Sequence, residues 1–249
     1  MANTLRLYAL KAIVTGAADG IGEAIARTFA KHGAEVLAVD SPQSRIGTVF
    51  GKVRGITALE VDEETEELSG MLLKTARERL EGLDILVNNF PSLSDTQAPG
   101  GNDEPNLQPW LDQVLAATAA VLPLLRKSPA GRIINIGALR SSFSRDDDAG
   151  FAAAERALSK VTAAQAAEHG TSGITANYIQ PGAIMTADSR AIFEADKAFR
   201  DWCIQRSAAR RLGEPVDIAK VALFLASDDS VFVSGTGIAA DGGLSPDAD

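Results

Sequence analysis

The chain has 249 residues, 45% of them hydrophobic and 23% charged, which suits one large globular domain with a sizeable core and argues against a second. A formal net charge of −9 disfavours nucleic acid as a partner, because polyanion binding relies on Lys and Arg neutralising phosphates. The single cysteine, Cys203, excludes an internal disulfide and suits a reducing compartment.

Short apolar runs alternate with longer helical patterns from the first residues onward. Ala12–Thr15 reads as a strand, Gly20–His32 as a helix, and Glu35–Val39 and Ile56–Val61 as the next two strands. Glu63–Glu81 is helical, Ile85–Asn88 a strand, Leu107–Arg126 a helix, Arg132–Ile136 a strand and Phe151–His169 a helix. Thr175–Ile179 and Gly237–Ala240 complete seven strands, with Ser189–Ser207 and Pro215–Ala226 as helices between them. Such alternation specifies a single α/β Rossmann-type domain over residues 1–249: a parallel, doubly wound sheet of seven strands flanked by helices. Two loop-like stretches, Phe90–Pro105 and Leu139–Gly150, leave the carboxyl ends of strands, where open α/β sheets bind ligands. The longest apolar stretch, Val114–Leu125, is broken by Thr118 and Pro123 and is too short for a bilayer of about 30 Å. No membrane span is expected. The segment Met1–Tyr8 has no apolar signal core, so a cytoplasmic protein is expected.

After the first strand the chain must turn sharply into a helix, and Gly16, Gly20 and Gly22 remove the side chains that would obstruct it. In Thr15-Gly16-Ala17-Ala18-Asp19-Gly20-Ile21-Gly22 the exposed N–H groups and the positive end of the helix suit a pyrophosphate. Asp40, at the end of the second strand, is placed to accept hydrogen bonds from adenosine ribose hydroxyls and to repel a 2′-phosphate. A nicotinamide dinucleotide is the expected partner, with NAD favoured over NADP.

From these residues onward the chain resembles the short-chain dehydrogenase/reductase family, nearly end to end. Asp62, in Glu60-Val61-Asp62, matches the family's adenine-contacting Asp, and Asn88-Asn89 matches the start of its Asn-Asn-Ala-Gly segment. Asn177-Tyr178-Ile179-Gln180-Pro181-Gly182-Ala183-Ile184-Met185-Thr186 resembles the segment whose backbone and Thr hold the nicotinamide carboxamide. The resemblance continues through Arg211-Leu212-Gly213-Glu214-Pro215, Leu223-Phe224-Leu225-Ala226-Ser227 and Ala240-Asp241-Gly242-Gly243. It implies cofactor contacts from Gly16, Asp19, Gly20, Ile21, Gly22, Asp40, Asp62, Asn88, Pro181, Gly182, Ile184 and Thr186, and a lid-like helical segment at about 186–210.

The resemblance also implies a Tyr that transfers a proton, a Lys four residues later that favours its phenolate, and a Ser that polarises the substrate oxygen. Those positions fall on Phe151, Glu155 and Ala138, and the catalytic residues are therefore unknown. Only two tyrosines exist, Tyr8 and Tyr178, and neither has Lys four positions later, so no shift of register restores the set. Substitute acids are Glu155, beside an apolar Phe151, and Asp146, Asp147 or Asp148 from the loop. Arg140 and Arg145 are candidates for an anionic substrate group, with surface charge as their plainer role. His32 and His169 stand at helix ends without a ligand cluster, so no metal site is expected, and Cys203 has no activating base. Asn89-Phe90-Pro91 puts two bulky residues beside the expected adenosine site.

Two readings remain open. One is an NAD-linked oxidoreductase acting on a small carbonyl or alcohol substrate with a non-standard proton donor. The other is a catalytically inactive cofactor-binding subunit or sensor in a homo- or hetero-tetramer, paired in the latter case with an active family member; the faces Ala116-Ala117, Ala119-Ala120, Ala163-Ala164 and Ala166-Ala167 suit close helix contact. Non-hydride chemistry, as in dehalogenating relatives, ranks last, because those relatives lose the glycine turn and keep the Tyr.

Overall fold

The computed structural model describes residues 5–62, 67–90, 106–143 and 147–244. Runs rich in Ile, Val, Leu and Ala form seven strands: β1 (Lys11–Val14), β2 (Glu35–Asp40), β3 (Ile56–Glu60), β4 (Ile85–Asn88), β5 (Arg132–Ile136), β6 (Thr175–Pro181) and β7 (Gly237–Ala240). All pair in parallel, in the order β3-β2-β1-β4-β5-β6-β7. Every residue of β4 and β5 is buried, as central parallel strands covered on both faces require. β7, at the sheet edge, has no buried residue.

The helices are α1 (Gly20–Lys31), α2 (Ile46–Phe50), α3 (Glu67–Thr75), α4 (Gln108–Leu125), α5 (Asp148–His169), α6 (Ala187–Ala195), α7 (Lys197–Arg206) and α8 (Pro215–Ala226). One core lies under α1 and α8, around Ile25, Phe29, Ile218 and Ala222. The other lies under α3, α4 and α5, around Leu72, Val114, Val121 and Leu158. The strand order reverses direction between β1 and β4, so the loops leaving their carboxyl ends part and open a crevice there.

Several boundaries differ from the sequence expectation for local reasons. The helix expected at 63–81 is α3 from Glu67, running into a π-helical turn at Ala76–Leu80; residues 63–66 lie outside the described residues. α5 begins at Asp148 rather than Phe151, because the Asp147 carboxylate accepts the Gly150 N–H (2.8 Å) and caps it. The single helix expected at 189–207 is two, since Asp196 leaves helical geometry and its carboxylate accepts the Phe199 N–H (2.8 Å) to start α7. The short α2 carries too few apolar positions to have been read as periodic.

Behind the crevice a buried polar network joins both layers. Asn88 Nδ2 donates to Asn135 Oδ1 (2.8 Å) and Thr118 Oγ1 (3.1 Å), while Asn135 Nδ2 donates to Thr162 Oγ1 and Gln165 Oε1 (both 2.9 Å). Gln165 Nε2 closes the loop on Thr118 Oγ1 (3.1 Å). β4, β5, α4 and α5 are thereby tied by side chains that have left water. Asn135→Leu is expected to strip partners from Asn88, Thr162 and Gln165 at once, costing about 2–4 kcal/mol and lowering Tm by several degrees in a thermal melt.

Candidate functional site

The β1–α1 turn is built from backbone at van der Waals contact. Gly16 and Gly20 have φ of 54° and 50°. A Cβ on Gly22 would overlap the Gly16 carbonyl oxygen, and one on Gly16 would overlap the Asn89 carbonyl oxygen, so neither site admits a side chain. Hydrogen bonds hold the turn from both sides. Asn89 N–H donates to Thr15 Oγ1 (2.9 Å), Asn89 Nδ2 to the Gly16 carbonyl (3.0 Å), and Ala17 N–H to the Val39 carbonyl (3.0 Å). Ala18 N–H donates to Asp40 Oδ2 (2.8 Å), whose Oδ1 accepts the Ser41 N–H (2.8 Å). Each Asp40 oxygen keeps lone-pair capacity for a further donor.

Thr186 caps α6 and comes within 3.2 Å of where a Gly20 Cβ would stand. Its Oγ1 accepts the Ser189 N–H (3.1 Å), and Ser189 Oγ accepts the Thr186 N–H (2.7 Å). Met185 N–H donates to Gly213 O (2.8 Å) and Gly213 N–H to Ala183 O (2.9 Å), fixing the strand of chain between Gly182 and Thr186. The structure thus brings Gly16, Asp19, Gly20, Gly22, Asp40 and Thr186 to the crevice, with Asp62 just beyond β3, Pro181 ending β6 and Gly182 just after it. Ile21 and Ile184 have buried side chains that belong to the core under α1 and α8. Asn88 does not join them with its side chain, which belongs to the buried network. Phe90 is 5% exposed and lies in the core under α3 and α4; Pro91 is outside the described residues.

The cleft is acidic. Loss of water around Asp19 raises its carboxyl above the ordinary range, and the charges of Asp188, Asp40 and Glu23 raise it further. Next to it a cavity of about 510 Å³ is lined by Ala18, Asp19, Gln43, Ser44, Arg45, Thr48 and Val49. Arg45 is a cation of this site with no motif of its own; its position five residues beyond Asp40 is the signal in the sequence that marks it.

At the other end, beyond β5, the chemistry is different. Ala138 is buried, and Phe151 packs edge-on against Phe143 with centroids 5.5 Å apart. Arg140, 1% exposed, is wrapped by aromatic rings: its guanidinium carbon lies 5.7 Å from the Phe151 centroid, 5.7 Å from Phe199 and 4.9 Å from Trp202. Its Nη1 donates to the Phe143 carbonyl (3.2 Å), and its backbone N–H to Gly182 O (3.3 Å). The surface role considered for Arg140 is therefore corrected: it is a buried link between β5, β6, α5 and α7. Phe199 and Trp202, three apart on α7, were the sequence signal for this cage.

Neither tyrosine is near. Tyr8 is 74% exposed, and the Tyr178 ring lies over Gly237 on β7. Glu155 is half-buried, one turn after Phe151, with no hydrogen bond or ion pair among the described residues. Asp147 is used as the α5 cap, while Arg145 and Asp146 lie outside the described residues. Burial pushes the Cys203 thiol up to about 11, against the opposing pull of the Arg140 charge, so it is protonated and inert at neutral pH. His32 caps α1 and His169 ends α5, and no group of three metal-ligating side chains occurs among the described residues. No helix among them is long and apolar enough to cross a membrane.

Residues 16–245 match the family model described as Enoyl-(Acyl carrier protein) reductase. Oxidoreductase UcpA of Escherichia coli K12 is 31% identical, with 96% of this chain and 95% of the relative covered. The 3-oxoacyl-(acyl-carrier-protein) reductase FabG of Haemophilus influenzae is 33% identical, with 94% and 97% covered. Among solved structures, a gluconate 5-dehydrogenase from Burkholderia cenocepacia J2315 in complex with NADP and tartrate superposes with a TM-score of 0.83 at 30% identity, covering 97% of each chain. A putative NAD(P) dependent gluconate 5-dehydrogenase from Beutenbergia cavernae, with NADP bound at low occupancy, gives 0.82 at 28%, covering 97% and 99%.

The folded state binds the Asp19 proton more tightly than the unfolded chain does, so ionising this group opposes folding. Its contribution falls as pH rises through the unfolded and then the folded pKa. Because Asp19 is exposed, solvent screens much of this effect, and Asp19→Asn is expected to raise Tm only slightly at pH 7 and to leave it unchanged below pH 3, in paired melts.

Proposed function

The chain belongs to the short-chain dehydrogenase/reductase family of oxidoreductases, and from that premise we propose that it binds a nicotinamide dinucleotide, NAD in preference to NADP, without ordinary carbonyl turnover. One observation carries the cofactor half: at Gly16 and Gly22 backbone stands where any Cβ would collide, beside the N-terminus of α1. That cradle fits a pyrophosphate, which needs close N–H donors and tolerates no intervening side chain. When bound, the nicotinamide ring supplies hydride transfer at its C4.

The chain's own residues set what surrounds that ring. Gly182, Ile184 and Thr186 offer backbone and a hydroxyl to hold it, and Asp40 takes ribose hydroxyls with its remaining lone pairs. A 2′-phosphate meets the Asp40 charge, partly offset by Arg45 in the adjoining cavity. Ala138, Phe151 and Glu155 stand at the family's Ser, Tyr and Lys positions. Phe151 has no proton to exchange, Ala138 donates nothing to a substrate oxygen, and Glu155 inverts the charge of Lys. Losing a general acid or base alone typically costs about 10²–10⁴ in rate. A cofactor-binding subunit or sensor follows, with α4 and α5 as the surface for a homo- or hetero-tetramer; Leu115, Ala116 and Ala119 are exposed on α4. The second reading, an enzyme with a substitute acid, draws on Glu155, half-buried and without a hydrogen bond or ion pair among the described residues.

Two measurements test this. NADH is expected to quench protein fluorescence with micromolar affinity and NADPH at least tenfold more weakly, a gap that Asp40→Ala narrows. In a carbonyl and alcohol screen the wild type is expected to be silent, and the triple variant Ala138→Ser, Phe151→Tyr, Glu155→Lys to turn over. Wild-type turnover abolished by Glu155→Gln would instead establish the substitute acid.

A further inference from the structure

A second concavity, of about 640 Å³, lies on the outer side of the segment that follows β6. Its walls are α7, the loop from Arg210 to Glu214, and the first turn of α8. Met185, Ile204, Leu212 and Val216 give it an apolar floor, and Arg200, Arg210 and Arg211 rim it. Of the two acids on the rim, Asp217 is engaged: it accepts from Arg211 Nη1 (2.7 Å) and the Glu214 N–H (3.0 Å), while its own N–H donates to the Glu214 carbonyl (2.8 Å). The Glu214 carboxylate leaves the three arginines in excess over the two acids. Arg200 leans on its neighbour Asp201 (2.8 Å) in an exposed pair of little strength. Arg210 donates to the Gln205 carbonyl and has no carboxylate partner among the described residues.

Arg210 is also held where an arginine does not relax. Its φ is 54°, the left-handed region, one of three such non-glycine residues in the described chain. The strain is imposed from outside. Ala208 N–H donates to Gly243 O (3.3 Å), Ala209 N–H to Gly242 O (2.9 Å) and Ser207 Oγ to Gly242 O (3.1 Å), clamping 207–209 to the segment beyond β7. Glycine would satisfy that backbone without strain, yet the position carries a guanidinium over an apolar floor in a chain of net charge −9.

We infer that this groove binds a small organic anion: a phosphate or carboxylate head held by Arg210 and Arg200, on an apolar stem lying along Met185, Ile204, Leu212 and Val216. Met185 sits between Ile184 and Thr186, so the stem reaches the wall of the cofactor crevice. As the far end of a substrate the anion rests on the cofactor reading above; as a binding site it stands without it.

Octyl phosphate, octanoate and octanol, titrated calorimetrically into the full chain, test the site. At least one of the two anions is expected to bind tenfold or more tightly than octanol, and the better head tells phosphate from carboxylate. Arg200→Gln/Arg210→Gln is expected to weaken that anion at least tenfold with Tm unchanged. Arg210→Gly, which removes the charge and the strain together, is expected to weaken it with Tm unchanged or raised. Equal affinity of anions and octanol, or of wild type and double variant, overturns the proposal. NADH titration of the same samples separates the two readings: anion discrimination in protein that fails to bind NADH upholds the groove and removes only the cofactor reading, whereas NADH binding without anion discrimination removes the groove.

Discussion

The cleft depends on a steric constraint where β1 passes into α1: at residues 16 and 22 two backbones are so close that hydrogen is the only side chain that fits. Because Gly22 rests on the Gly16 carbonyl, α1 starts immediately over the end of β1, and its first N–H groups face the crevice rather than a longer loop. Because Gly16 rests on Asn89, the end of β4 is pinned to the same turn. The Thr186 side chain then closes over Gly20. Three segments distant in sequence meet at one turn, two of them through backbone contact, which is why the fold and the crevice cannot be changed independently there.

The two ends of this cleft follow different physics. The cofactor end is polar and backbone-built, with Asp40 ordering the turn through Ala18 and remaining available to a ligand. The end beyond β5 is occupied by side chains, with Arg140 inside a cage of Phe151, Phe199 and Trp202. Taking a guanidinium out of water is costly; cation–π contacts of about 0.5–2 kcal/mol each offset part of that cost, and the Phe143 carbonyl bond offsets more. The cage also locks α7 to β5, so movement of that helix would separate Arg140 from two of its rings. Phe151 therefore has a packing function, against both Arg140 and Phe143.

Much of this was legible in the sequence, and the omissions have a common cause. The strands read correctly because buried parallel strands are short apolar runs between turn residues, and the glycine turn read correctly because its spacing is local. Arg140 did not, since a charged residue in a polar loop looks solvated until the aromatic residues some sixty positions later fold over it. The polar network failed for the same reason: Asn88, Thr118, Asn135, Thr162 and Gln165 come from four elements and share no motif. Asp196 shows the opposite case, a break visible as an acid before an aromatic-rich helix but masked by the helical period on either side.

Charge is distributed against the simplest expectation for a dinucleotide site. Asp19, Asp40, Asp188 and Glu23 gather where a pyrophosphate belongs, and their mutual repulsion appears in the raised carboxyl of Asp19. Binding there has to come from oriented N–H groups and the α1 dipole working at contact distance, which salt screens weakly. The exposed arginines around Met185 and Leu212 act through net charge at an open surface, which salt screens strongly. A ligand spanning both would gain its orientation from the first and its long-range attraction from the second. The acidic crevice by itself would slow the approach of any polyanion, and the arginine rim would offset part of that repulsion locally.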